Sequence, residues 1–290
     1  MGKSDKNKKD NKLHGGEAFE KYYGELYGER WADLKAAFFE ENSSVEYKIP
    51  GAEKPYYLDS ASVLAALCLP LEKNDGENIL DLCAAPGGKT LVIASRMNAE
   101  SILSSNERSA ERKHRLAVVV ETCLPEAVSS RIKVSCSDGS TWCTRQTECF
   151  DKILLDAPCS SERHVIADKK YLDQWSLSRI KTVTMEQWAL LSSAYRLLKT
   201  DGILLYSTCA LCPEENDGMI ERLFKKFNKS GDCFEILEPA PDAEEIKTFA
   251  DVELPQWEKT DYGYQILPDK QKGAGPIYFS IIKKLKSHLT

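Results

Sequence analysis

The chain has 290 residues, 42% hydrophobic and 29% charged, which is enough for one large α/β domain with a small appendage and too little for two full-sized domains. A formal net charge of −6 excludes capture of nucleic acid by bulk attraction, so any such partner must be held in a local groove or patch. No stretch approaches the roughly 20 apolar residues of a membrane span, and the N-terminal run MGKSDKNKKDNKLHGG lacks an apolar signal core, so a soluble, non-exported protein is expected.

Residues 1–16 are lysine-rich and apolar-poor, the composition of a disordered basic tail. A helical extension is expected over 17–60. There Phe19, Tyr22, Tyr23, Leu26, Tyr27, Trp31, Leu34 and Phe38 recur at helical spacing, with their aromatics packed rather than stacked on bases. From Glu77 onward, within a domain expected to fill 61–290, short Ile/Leu/Val runs alternate with helical patterns, as in a parallel sheet with crossover helices. The predicted strands are Asn78–Leu82, Ser101–Ser105, Arg131–Ser135, Lys152–Leu155 and Gly202–Tyr206. Before the last of these, Leu177, Ile180, Thr184, Trp188, Leu191, Tyr195 and Leu198 mark one face of a long helix. A further helix after Glu214 leads to strands at Phe234–Leu237, Tyr264–Leu267 and Ile277–Ile282, ending in an antiparallel pair at the sheet edge.

The segment Ile79 to Thr90 reads as a buried strand running into a Gly87-Gly88 turn and then a helix. In a doubly wound sheet ligands bind at the carboxyl ends of the strands, and a helix start offers free N–H groups to a carboxylate. The spacing lacks both GxxxxGK[ST] and GxGxxG, which argues against a nucleoside triphosphate or NAD. The next strand ends in Asn106-Glu107, where a carboxylate can accept from a ribose diol, and the third near Asp138-Gly139, where another can meet an adenine amino group. The fourth runs into Asp156-Ala-Pro-Cys159 and the fifth into Ser207-Thr-Cys209, so both thiols and Asp156 are expected to face one crevice. Ten cysteines invite a disulfide reading, but Cys83, Cys159 and Cys209 each follow strand-like runs, and no CxxC pair accompanies CxxH or HxxxH. Free thiols and no metal site are expected.

Leu82-Cys-Ala-Ala-Pro-Gly-Gly-Lys89, Asp156-Ala-Pro-Cys159 and Ser207-Thr-Cys209 resemble, in order, the motifs of the NOL1/NOP2/Sun family of RNA cytosine-5 methyltransferases. The likeness runs from about residue 17 to the end and takes in Tyr57-Leu-Asp-Ser-Ala-Ser62 and Gly275-Pro276-Ile-Tyr. It implies a Rossmann-like, mostly parallel seven-stranded sheet that binds S-adenosylmethionine. The cofactor residues implied are Cys83, Ala84, Ala85, Pro86, Gly87, Gly88, Lys89, Glu107 with Arg112, Asp138 with Gly139, and Asp156; Glu107 stands where the family has Asp. It implies Cys209 as the nucleophile that adds to cytosine C6, Cys159 as the thiol that assists release, and Asp156 at the cytosine edge. Lys89 is the positive neighbour expected to favour the Cys209 thiolate. Arg163 and His164, just past the Pro-Cys turn, are candidates for the RNA path.

Two rivals remain. A DNA cytosine-5 methyltransferase uses the Pro-Cys cysteine and a Glu-Asn-Val element, which this chain lacks while carrying the extra Thr-Cys. A non-catalytic RNA-binding or assembly factor on the same fold is signalled by loss of a cysteine or of the glycine loop, and all are present. Ribosomal RNA is the expected substrate and transfer RNA the alternative, with specificity drawn from the extension, surface loops or a partner protein. A monomer in the cytoplasm is expected, the mitochondrial matrix being the alternative.

Overall fold

The computed structural model describes residues 14–40, 44–228, 232–247 and 254–288. Up to residue 13, the basic tail expected from the sequence lies outside them. The chain opens with α1 (Gly15–Tyr27) and α2 (Trp31–Ala37), followed by the strands β1 (Ser44–Tyr47) and β2 (Tyr56–Asp59) and then α3 (Ser60–Leu67). β1 and β2 form a separate antiparallel pair, so the stretch expected to be helical up to residue 60 ends in a hairpin. The Asp59 carboxylate caps α3 by accepting the Ala61 and Ser62 N–H groups.

The main sheet begins with β3 (Asn78–Asp81), α4 (Gly88–Arg96), β4 (Ile102–Glu107), α5 (Ala110–Cys123), the single turn α6 (Glu126–Ser129), β5 (Ile132–Cys136) and β6 (Phe150–Asp156). Then follow α7 (Glu162–Ala167), α8 (Lys169–Asp173), α9 (Leu177–Leu197), β7 (Leu198–Thr208), α10 (Asp217–Phe227), β8 (Phe234–Leu237), α11 (Ala243–Lys247), β9 (Glu258–Lys259), β10 (Tyr264–Ile266) and β11 (Ile277–Lys284). The spatial order is β5-β4-β3-β6-β7-β11-β10-β9, with β8 beside the far half of β11. β3 to β7 are parallel and β8 to β11 antiparallel. The described residues thus give this main sheet nine strands where seven were expected, the antiparallel edge being built from several short segments.

Strand order reverses between β3 and β6, which opens a crevice at their carboxyl ends. Successive residues face opposite sides of the sheet, and both sides are covered. Ile79, Leu103, Leu154 and Leu205 pack with α3, α4 and α5, whereas Leu80, Leu82, Ile153, Leu155 and Tyr206 pack with α9 and α10. The exposed Leu177 is not part of the buried face of α9, and Leu198 already belongs to β7. Phe19, Tyr23, Trp31, Leu34 and Phe38 are buried against Trp175, Ile180, Leu211 and Leu267, so the extension is fastened beside the β7 tip. The Tyr27 hydroxyl donates to the Leu211 carbonyl at 2.8 Å, and Arg30 pairs with Glu258 and Asp269. No helix among the described residues is long and apolar enough to cross a membrane.

Candidate active site

A cleft of about 920 Å³ opens over the tips of β3, β4, β5, β6 and β7. Most of the residues expected from the sequence line it: Cys83, Ala85, Pro86, Lys89, Glu107, Arg112, Asp138, Gly139, Asp156, Cys159 and Cys209. Ala84 and Gly88 line an adjoining recess with Tyr56 and Tyr57 of the hairpin. Gly87 lines neither. Its φ of +121° turns the chain between strand and helix, and a Cβ there would lie 2.9 Å from Val119 Cγ1 on α5. Glycine at 87 therefore serves close packing of loop on helix rather than room for a ligand.

The loop is held from below and from the side. Asn106 donates to the carbonyls of Leu82 and Ser137, joining the β3 and β5 tips, and Arg112 donates to the Ala85 carbonyl. Glu107 is buried, accepts the Ser109 N–H at 2.8 Å and lies 3.4 Å from the Arg112 guanidinium. Arg112 thus braces the loop as much as it faces the cleft. Asp138 caps the turn after β5 through Ser140, which engages its Oδ1. Asp81, at the base of the loop, accepts from Thr90 with Oδ2 at 2.7 Å, and its Oδ1 is buried with no partner. Burial pushes its carboxyl up to about 7.

The two cysteines follow the adjacent parallel strands β6 and β7, and Cys159 Sγ lies 2.9 Å from Cys209 Sγ. The bond from the Cys159 thiol, aided by Ser161 Oγ at 3.6 Å, holds the Cys209 thiol below its ordinary range against the effect of burial. The same bond, together with burial, pushes Cys159 well up. Cys209 is therefore the sulfur favoured as thiolate, and Cys159 the one that keeps its proton. Lys89 was expected as a positive neighbour of that thiolate, and Cys209 is among the charges that act on it. Its direct partner is Asp156, to whose Oδ2 its ammonium donates at 2.7 Å, and that attraction outweighs burial to raise its pKa. Ser207 donates to Asp156 Oδ1 at 2.8 Å, so both carboxylate oxygens are engaged. Burial pushes the Cys83 thiol up, which leaves it a neutral lining group.

His164 lines the cleft, exposed, with its ring against Tyr171. Arg163 is not among the residues that line the cleft; it donates to the Gly273 carbonyl and lies over the Phe38 ring. Sequence reasoning missed Glu162 and Glu215, both fully buried behind the cysteine turns, and Leu190 and Glu186 on the cleft wall of α9. A signal existed for the first two, since each acid falls within six residues of a motif cysteine in CSSE and CALCPEEN.

Comparison with known proteins places this geometry. The family model described as 16S rRNA methyltransferase RsmB/F matches residues 68–275, which hold the loop and both cysteine turns. The chain is 32% identical over 240 residues to a mitochondrial tRNA (cytosine(34)-C(5))-methyltransferase of Danio rerio, covering 80% of this chain and 61% of that one. It is 35% identical over 197 residues to ribosomal RNA small subunit methyltransferase F of Aeromonas salmonicida, covering 67% of this chain and 40% of that one. The chain thus spans less than two thirds of either relative. A crystal structure of a methyltransferase homolog protein from Pyrococcus horikoshii shares the fold, with TM-score 0.64 and 23% identity over 92% of this chain and 94% of that one. With the glycine-turn loop and both cysteine turns inside the matched segment, this chain belongs to the 16S rRNA methyltransferase RsmB/F family.

Proposed function

We propose that this chain transfers a methyl group from S-adenosylmethionine to carbon 5 of a cytosine in RNA, with Cys209 as the attacking group. The observation that carries the reading is the thiol pair 2.9 Å apart at the tips of β6 and β7, with the thiolate favoured on Cys209.

The cleft fits the cofactor chemically. The α4 start offers backbone N–H groups, Glu107 offers a buried carboxylate to a diol, and Leu82 and Leu190 offer an apolar wall to a base. The unpartnered Asp81 Oδ1 below the loop is an acceptor awaiting a donor. S-adenosylmethionine, when bound, supplies a methyl group activated by a sulfonium.

Cytosine C5 is a poor nucleophile until a thiolate adds at C6, which moves electron density onto C5. Cys209 supplies that thiolate. Carbon 5 then takes the methyl and carries both it and a proton. Once Cys209 is bonded to carbon its negative charge is gone, the methyl's former bonding pair having stayed on the sulfur of S-adenosylhomocysteine, so Cys159 can release its own proton to solvent and, as the thiolate, take the proton from C5. The C5–H electron pair re-forms the C5–C6 double bond and expels Cys209. Lys89 and Asp156 line the approach and hold the cytosine edge. The base has to leave its stack to enter, which suits a single-stranded or looped RNA. Ribosomal RNA is the substrate favoured, because the matching family model is described as acting on 16S rRNA; transfer RNA is the alternative, from the name of the mitochondrial relative.

The test is incubation with methyl-labelled S-adenosylmethionine and RNA transcripts, digestion to nucleosides and mass spectrometry. Label in 5-methylcytidine supports the proposal. Label in another nucleoside, or none in any RNA offered, overturns it.

A further inference from the structure

Behind the cleft a single carboxylate joins the two cysteine turns. Glu162 is fully buried. Its Oε1 accepts from the hydroxyls of Tyr23 and Ser160, and its Oε2 accepts the Leu211 N–H at 2.9 Å. Ser160 follows Cys159, and Leu211 lies two residues past Cys209, so one side chain fixes each turn against the other. Tyr23 comes from α1 and is itself fully buried. Glu215 grips the first turn from its other side through the Ser160 N–H at 2.9 Å and Gln187, which also donates to the Pro158 carbonyl.

We propose that Glu162 is a positioning residue that sets the spacing of Cys159 and Cys209, and that the Tyr23 hydroxyl makes the N-terminal helix part of that setting. This rests on the reading of Cys209 as nucleophile. The spacing matters because the thiolate on Cys209 is favoured first by the bond from Cys159, which weakens steeply as the sulfurs part. Lys89, Asp156, Glu162 and Arg163 also act on Cys209. Tyr23→Phe leaves all four charges in place. A bond that merely held two elements together would lower stability and leave the thiols as they are.

The experiment measures alkylation of Cys209 by iodoacetamide against pH, read by peptide mass spectrometry, in the full chain, in Tyr23→Phe and in Ser160→Ala. The second variant removes another hydroxyl from the same carboxylate and keeps the test decisive should the first fail to fold. Looser spacing moves the alkylation midpoint upward and slows the reaction at neutral pH about ten-fold, the change in thiolate fraction for one pKa unit. In a Cys159→Ala background the same substitutions leave the midpoint where it is, because they act through Cys159. A midpoint unmoved in both variants, or moved equally in the Cys159→Ala background, overturns the proposal. Alkylation needs no RNA, so this result stands apart from any failure of the methyl-transfer reading. Where transfer is observed, Tyr23→Phe lowers kcat about ten-fold or more and leaves KM for RNA unchanged.

Discussion

Gly87→Ala separates two roles for the glycine turn. At φ +121° and ψ −5° a residue with a side chain is strained by about 1–3 kcal/mol. The new methyl would also meet Val119 Cγ1 at 2.9 Å and Leu116 Cδ1 at 3.2 Å on α5, and overpacking of that kind costs about 1–3 kcal/mol. Together these give about 2–6 kcal/mol, a large share of the about 5–15 kcal/mol that holds a domain folded. Urea denaturation should show a midpoint lower by about 1 M or more at an unchanged slope. Gly88→Ala should cost less, because its φ is not positive and the atom it approaches is the Tyr56 ring edge at 3.1 Å. Isothermal calorimetry on the folded fraction should find S-adenosylmethionine bound by Gly87→Ala, since Gly87 lines neither the cleft nor its recess. A variant with wild-type stability that has lost the cofactor would refute the packing account.

Glu107→Gln should raise the Kd for S-adenosylmethionine about ten- to a hundred-fold in calorimetry, the worth of a bond to a buried charge; an unchanged Kd would remove Glu107 from the cofactor set. Burial, and then the neighbouring Glu162, push Glu215 up to about 7 from an ordinary value near 4.5. A carboxyl raised on folding stabilises most when protonated in both states, so its contribution is full below about pH 4.5 and lost as pH rises through about 7. Urea midpoints compared at pH 5 and pH 8 should therefore fall less in Glu215→Gln than in the parent chain, and an equal fall in both would contradict the assignment. Arg30→Met should cost about 1.5–3 kcal/mol and speed proteolysis of the 254–270 segment, since among the described residues of the extension only Arg30 binds both Glu258 and Asp269; unchanged cleavage would show the bridge to be idle.

The crevice was legible because apolar runs of strand length repeated with acids or cysteines at their ends, and a parallel sheet brings such ends to one edge. The loop residues Cys83 to Pro86, Gly88 and Lys89, with Glu107, Asp156 and both motif cysteines, meet there as expected, whereas Gly87 does not. Residues 44–59 were misread as part of a helical extension, since the period seen up to Phe38 was carried past its end, whereas Ser44–Tyr47 and Tyr56–Asp59 pair as strands. Leu177 fits the helical period yet lies exposed, because the period marks a face without saying where its cover ends. Glu162 and Glu215 were missed for a different reason, although each lies within six residues of a motif cysteine. A glutamate is buried only when enough donors converge on it, and those donors come from Tyr23, Ser160, Gln187 and Leu211, which only the folded chain brings together. The contacts of Arg163 with the Gly273 carbonyl and the Phe38 ring were hidden on the same ground, since both partners are distant in sequence.

The central claim is that Cys209 attacks and Cys159 releases, and a denaturing gel of protein incubated with substrate RNA and S-adenosylmethionine tests it most directly. Cys159→Ala should form the covalent adduct and fail to resolve it, giving a band shifted by the mass of the RNA. Cys209→Ala and the double variant should give no such band while still binding cofactor. A shifted band from Cys209→Ala and none from Cys159→Ala would make Cys159 the nucleophile and contradict the account.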